Sequence, residues 1–309
     1  MINFRYHVVS LTAVFLALAV GMVLGTAALN GPVTEDLYSE AQSLRKSNAQ
    51  LRDQIAEMED ELASREEYVK EAAPLLLDNK LDRQRILVVA MPGADQDWVT
   101  AATDNVRLAK GTVTGTLRFT DRFIDPAHKE DARDLATRLL PPNVKNVPSD
   151  ADGVTASAAL LAAVLLTHTP EVAAGDRTSV LTGYQTQKLI ELDKKITEPA
   201  TGVIIVSNLP ATEKDAAARN AAVVAAIGQF APAGPLVVAA PGTGGDGNAI
   251  TAIRDDPALK QSVSTVDNVN TSLGQLSTVL ALVQRIVDRK SGHYGISDTA
   301  DGRIPKPSA

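Results

Sequence analysis

The chain has 309 residues, long for one domain and short for three. Hydrophobic residues make up 45% and charged residues 22%, but aromatics only 4%, so a core must be built from aliphatic side chains. The net charge of −7 argues against a nucleic-acid surface, which needs clustered Lys and Arg, and zero cysteine rules out disulfides and thiolate metal sites while fitting an envelope protein.

The first element is the run from Val8 to Leu29, 22 residues without a charge, whose only polar side chains are Ser10, Thr12 and Thr26. As a helix it spans about 33 Å, enough to cross a bilayer core. Arg5 and the amino terminus precede it, and Glu35, Asp36 and Glu40 follow it. The positive-inside rule then puts residues 1–7 in the cytoplasm and the rest of the chain outside it. Thr26-Ala27-Ala28 offers a small-residue cleavage site, the alternative being a signal peptide; the length of the run favours an uncleaved anchor. Gly21 and Gly25 stand at GxxxG spacing, which permits close helix–helix approach.

A turn is expected at Asn30-Gly31-Pro32, and the period then changes. Leu37, Leu44, Leu51 and Met58 recur every seven residues, and Ala41, Asn48, Ile55, Leu62 and Val69 form a second such series. Taken as d and a positions they make a heptad seam, and residues 34–73 are expected to form a parallel coiled-coil dimerisation stalk about 60 Å long. Asn48 at an a position would fix register and favour two strands. Glu40 can meet Arg45 of a partner helix, whereas Glu61 would face Glu66. The alternative is one amphipathic helix lying on the chain's own globular domain. Pro74 is expected to end the helix.

Residues 85–290 read as an extracytoplasmic α/β domain with a mainly parallel sheet covered by helices on both faces. Buried strands are expected at 86–90, 203–206 and 236–240, a β-rich segment at 112–119 and a weaker strand at 262–266. Helices are expected at 97–109, 126–140, 154–167, 185–196, 213–229 and 271–289. Leu87-Val88-Val89-Ala90-Met91-Pro92-Gly93 echoes Leu236-Val237-Val238-Ala239-Ala240-Pro241-Gly242, which is either a duplicated βαβ unit or a common way to end a strand. Residues 291–309 read as a flexible tail.

Gly242-Thr243-Gly244-Gly245-Asp246-Gly247 lies between a buried strand and a helix, where loops can cradle phosphate, so Gly242, Thr243, Gly244, Gly245 and Gly247 form a candidate ligand loop. It matches neither GxxxxGK[ST] nor GxGxxG, and Asp246 would repel an anion, so a surface turn is the plainer reading. His7, His128, His168 and His293 are widely spaced, Met58 and Met91 are the only methionines beyond the initiator and the anchor, and no set of metal ligands emerges. His168 suits a helix C-terminus, and His293 could join a site only across a dimer. No GxSxG or nucleophile–His spacing is found, and pairs such as Asp255-Asp256 read as a solvated face; no enzyme and no cofactor is expected.

The block Phe4-Arg5-Tyr6-His7-Val8-Val9-Ser10-Leu11, with Ala13 to Ala19 and Gly21-Met22-Val23-Leu24-Gly25 after it, resembles the actinobacterial MctB-like copper transporter family. The coiled coil and the closing Gly292-His293-Tyr294-Gly295 extend the resemblance over the whole chain. It implies an actinobacterial envelope protein, with copper efflux as the role named in mycobacteria. In a corynebacterial branch, SteB, it implies cell separation through the membrane protein SteA and control of peptidoglycan hydrolases. No copper ligands carry over. A single membrane helix encloses no pore, and Ala-rich helices do not build a barrel. Three readings follow: a homodimeric scaffold for another envelope protein, such as a SteA-like or hydrolase system; copper homeostasis; and a domain binding a nucleotide or sugar.

Overall fold

The computed structural model describes residues 4–29, 32–145, 147, 148, 151–167 and 171–306. They divide into two compact units, Met1–Ser64 and Arg65–Ala309. The first unit holds helix α1 (Phe4–Leu29) and most of α2 (Pro32–Leu77), which runs on into the second. Within α1, Phe4–Ala27 contains an 18-residue stretch with a mean hydropathy of 2.4 and is long enough to cross a membrane. Its two threonine hydroxyls are satisfied inside the helix, Thr12 donating to the Val8 carbonyl at 2.8 Å and Thr26 to that of Met22 at 2.9 Å. Asn30 and Gly31, where a turn was expected, lie outside the described residues.

The second unit is built on one sheet. Its strands are β1 (Arg85–Ala90), β2 (Thr112–Phe119), β3 (Ile190–Leu192), β4 (Gly202–Val206), β5 (Leu236–Ala239), β6 (Ser264–Val266) and β7 (His293–Tyr294). The spatial order is β3-β2-β1-β4-β5-β6-β7, all parallel except β3, which pairs antiparallel with β2. Successive strand residues face opposite sides, so each apolar run feeds two cores. Leu87, Val89, Val203, Ile205 and Val238 enter one; Ile86, Val88, Ile204, Val206 and Val237 enter the other.

Helices cover both faces. On the Ile86 face lie α3 (Gln96–Leu108), α11 (Ser272–Val287) and the last turns of α2. On the Leu87 face lie α4 (Asp121–Ile124), α5 (Lys129–Arg138), α6 (Gly153–Leu165), α7 (Ala174–Thr186), α8 (Ala216–Phe230), α9 (Ala249–Asp255) and α10 (Pro257–Ser262). The mainly parallel, doubly covered sheet expected from the sequence is present.

Four local expectations need correction. The helix expected at 185–196 ends at Thr186, because Lys188 takes a left-handed φ of 55° and Ile190 and Leu192 then join the sheet as β3. Pro74 does not end α2, which continues to Leu77; exposed Pro74 forgoes one hydrogen bond while Ala73 and Leu77 on the opposite side are buried. Val69 packs on the chain's own core, and the Glu66 carboxylate accepts from the Ser272 N–H at the start of α11, so the last stalk residues belong to the globular unit. The echoed runs β1 and β5 do not occupy equivalent places, since reversal of the strand order exchanges β1 with β4 and β2 with β5. His168 lies outside the described residues.

A further correction, the tail, is the largest. Residues 293–294 form edge strand β7, and Gly292 to Gly295 are buried. The crossovers β1-α3-β2 and β4-α8-β5 run in opposite directions with helices on opposite faces, so they share one hand. The β6-α11-β7 crossover runs in the β4-to-β5 direction with its helix on the α3 face, which is the opposite hand. Nearly all parallel crossovers share one hand, so this two-residue strand needs fixing by something besides its ladder. A buried charge network supplies it. Arg254 is paired with Asp267 at 2.9 Å, donates from Nε to Thr265 Oγ1 at 2.9 Å, and reaches Ser297 Oγ, Thr299 Oγ1 and the Tyr294 carbonyl. Asp267 accepts from the Ile296 N–H at 2.7 Å, and Asp301 from the His293 N–H at 2.9 Å.

His293, expected in a mobile tail, is 3% exposed with Nδ1 at 2.8 Å from Thr265 Oγ1. Burial lowers its pKa, the Arg254 charge adds to this, and Asp301 opposes it. An unfolded histidine titrates near ~6.5, so below that pH the unfolded chain takes up the proton first. This contribution to stability is complete above about pH 6.5 and is lost as the pH falls toward the lower folded value. Thermal unfolding of the full chain should therefore shift to lower temperature between about pH 7.5 and 5.5. The His293→Gln variant should show a shallower pH slope, and an unchanged slope would refute this role.

Candidate functional site

The first unit presents an unpartnered apolar stripe. Leu37, Leu44, Leu51, Ile55, Met58 and Leu62 are each between 54% and 64% exposed, at spacings of three, four and seven along α2. Ala41 and Asn48 lie exposed on the same stripe. An aliphatic seam of this length on a helix is ordinarily covered by another helix.

In the second unit a cleft opens at the carboxyl edge of the sheet. The chain leaves β1 toward β2 on one side and leaves β4 toward β5 on the other, so the loops after β1 and β4 diverge. Ligands of open α/β sheets bind at such a point. The cleft has a volume of about 530 Å³. Pro92 and Gly93 after β1, Asp121 and Ile124 of α4, the loop 207–213 after β4, one side of α8, and Gly247 and Ala249 line it.

Two amides, half-buried Asn208 and buried Asn220, brace its walls. Asn208 donates from Nδ2 to the Gly93 carbonyl at 2.7 Å and accepts the Leu209 N–H at 2.8 Å, tying the two diverging loops together. Asn220 of α8 accepts the Ala211 N–H at 2.8 Å and donates to the carbonyls of Ala211 and Asp246, each at 3.0 Å. Gly247, with φ of +75°, passes so close that a Cβ would stand 2.7 Å from that of Asn220. Arg219 lies 3.6 Å from Asp125.

The candidate Gly-rich loop borders this cleft but is held as a turn. Asn248 donates to the carbonyls of Gly242 and Gly244, the Thr251 hydroxyl to that of Thr243, and the Asn248 N–H to that of Gly245. Gly247 alone of the five proposed loop residues lines the polar cleft. Gly245 and Gly247 also border an apolar groove of about 870 Å³ beside the alanines of α8. Among the described residues no three His, Cys, Asp or Glu side chains converge as a metal site. Sequence reasoning missed Ser207, Asn208, Arg219 and Asn220. The polar stretch ending the Val203–Val206 run was the one signal available, and it gains meaning only once the strand order is known.

The family described as "Copper transport outer membrane protein, MctB" matches residues 1–305. The chain belongs to the MctB family. The copper transporter MctB of Mycobacterium leprae is 29% identical, over 97% of this chain and 98% of that protein. Those of Mycobacterium tuberculosis and Mycobacterium bovis are each 26% identical, over 96% of both chains. Membership of the MctB family and the apolar helix α1 together mark a membrane protein of the cell envelope. The resemblance read from the N-terminal block and the closing Gly-His-Tyr-Gly is thus a family relationship over the whole length.

Proposed function

We propose that the protein serves envelope copper homeostasis as a membrane-anchored, dimeric, non-enzymatic adaptor that binds another envelope protein and does not itself conduct the metal. The observation that supports this is the architecture: among the described residues one helix long and apolar enough to cross a membrane, a long helix with an exposed heptad stripe, and an open sheet whose outermost strands are β3 and β7. A closed membrane barrel has no such edges, and a lone helix has no lumen. Arg5 before the span and Glu40 after it favour a cytoplasmic N-terminus, with the sheet domain outside. The stripe is of the kind that pairs with a second copy leaving the same membrane face, and the grooves beside such a pair suit a helix of a partner. Copper in this reading is the partner system's cargo.

The test joins flux to phenotype. The purified full chain in liposomes should give no copper flux above empty vesicles. Deletion of the gene should raise cellular copper, and the intact protein should restore it. Protein-dependent flux would overturn the reading. The family description favours a second reading, direct copper ligation by this chain. Titration of the full chain with Cu(I) and Cu(II) against competing chelators decides it, and a Kd tighter than about micromolar would favour it. Unseparated cells with unchanged copper after deletion would favour the SteB-like role instead.

A further inference from the structure

We infer that the cleft where the strand order reverses binds a small, water-soluble cation bearing a protonated amine. The volume, about 530 Å³, lies in the range of small-molecule sites. The position is the one at which open parallel sheets bind ligands, outside the carboxyl ends of β1 and β4. The walls are braced in advance, since the side-chain groups of Asn208 and Asn220 are spent on the surrounding loops.

A ligand-facing group is present besides the shape. Ser207 directly follows β4, is 2% exposed and lines the cleft. Its hydroxyl has no hydrogen-bond partner among the described residues. Its oxygen is not among the side-chain atoms shut off from solvent without a partner, so it opens to the cleft, where it can donate to or accept from a ligand group.

The charges at the cleft select the sign of the ligand. Asp121 and Glu213 line it, both exposed and without an ion partner among the described residues. The one cation of the lining, Arg219, is already met by Asp125 at 3.6 Å. The remaining field is negative, so a phosphate is repelled and an ammonium is attracted. Ile124 and Val223 provide apolar surface for the carbon skeleton that carries the amine. This changes the meaning of the neighbouring Gly-rich loop: it shapes one wall and cradles no phosphate.

The experiment is calorimetric titration and thermal shift of the full chain in detergent micelles. The probes are glucosamine, putrescine and glycyl-lysine amide, with N-acetylglucosamine and ADP as comparisons. At least one amine should bind with a millimolar or tighter Kd, and the two comparisons should bind at least about tenfold more weakly. The Asp121→Asn/Glu213→Gln pair, both at exposed positions, should keep the unliganded melting temperature and weaken binding of that amine at least about tenfold. Val223→Trp should weaken it as well by filling the cleft. No binding by any of the three amines, equal binding of N-acetylglucosamine or ADP, or full affinity in the double variant would each overturn the assignment.

Discussion

Replacing Asp267 by alanine should destabilise the sheet domain by about 3–5 kcal/mol. The pair it forms with Arg254 is almost wholly withdrawn from water, with side-chain exposures of 0% and 3%. Removing the carboxylate leaves a guanidinium that cannot lose its proton in a place where it cannot be hydrated. The same change releases the Ile296 N–H and the Ser297 hydroxyl, so β7 and the residues after it lose their anchor together. At roughly 2–4 °C per kcal/mol for a domain of this size, the midpoint of thermal unfolding should fall by about 10 °C. Arg254→Met/Asp267→Leu, which removes both charges, should cost less than Asp267→Ala alone. Asp298→Ala, at an exposed position three residues beyond Gly295, should lie within about 0.5 kcal/mol of the native chain. A midpoint for Asp267→Ala within about 2 °C of native would show that the network does not hold β7.

Gly295 belongs to the same argument. Its φ of +133° is open to glycine, and a Cβ there would stand 1.9 Å from Asp267 Oδ1. The closing Gly-His-Tyr-Gly is therefore a docking strap. Gly292 makes room for the Tyr294 ring, Tyr294 bonds to Gln284 of α11, His293 meets Thr265, and Gly295 lets the chain turn over Asp267. A tail reading came from counting Gly, Pro and Asp, which signals loss of periodicity. A two-residue strand has no periodicity to detect, and its partners Arg254, Thr265 and Asp267 lie some 30 to 40 positions earlier.

The parts of the fold that sequence revealed are those whose cause is local. Val203–Val206 and Leu236–Ala239 are apolar on both sides because both faces of a parallel strand are covered. Val8–Leu29 is apolar on all sides for a different local reason, the lipid around it. The parts that sequence hid have distant causes. Residues 65–77 of α2 keep a helical period, so nothing in the period says whether Val69 and Leu77 face a second chain or their own core. The cleft residues Asp121, Ser207, Glu213 and Arg219 come from separate loops and helices that only the strand order brings together. Their number and spacing carry no motif, whereas the Gly-rich loop stands out by composition alone and spends its carbonyls on holding itself, as a surface turn does.

The second large effect expected lies in the stripe of α2. Leu44→Lys, Leu51→Lys and Ile55→Lys together should convert the full chain in detergent from dimer to monomer at micromolar concentration. Each substitution removes an aliphatic side chain that is 54% to 64% exposed in the single chain and places a charge at a d or a position. Burying such a side chain against a partner contributes about 1.5–3 kcal/mol, and three of them on each of two chains exceed what a stalk of this length can lose. The dissociation constant should rise by at least about 1000-fold, a change of roughly 4 kcal/mol. Gln42→Lys, Ala49→Lys and Ala56→Lys add the same charge to the same helix at positions off the seam, and they should leave the dimer intact. Asn48→Ile should act in the opposite sense, tightening the assembly while loosening its preference for two strands, because a buried Asn at an a position trades stability for register. Mass measurement by light scattering separates the outcomes. A native chain that is already monomeric, or a seam variant that stays dimeric while the off-seam variant dissociates, would remove the stalk as the dimer interface. The first result would also remove the paired grooves on which the proposed partner binding depends.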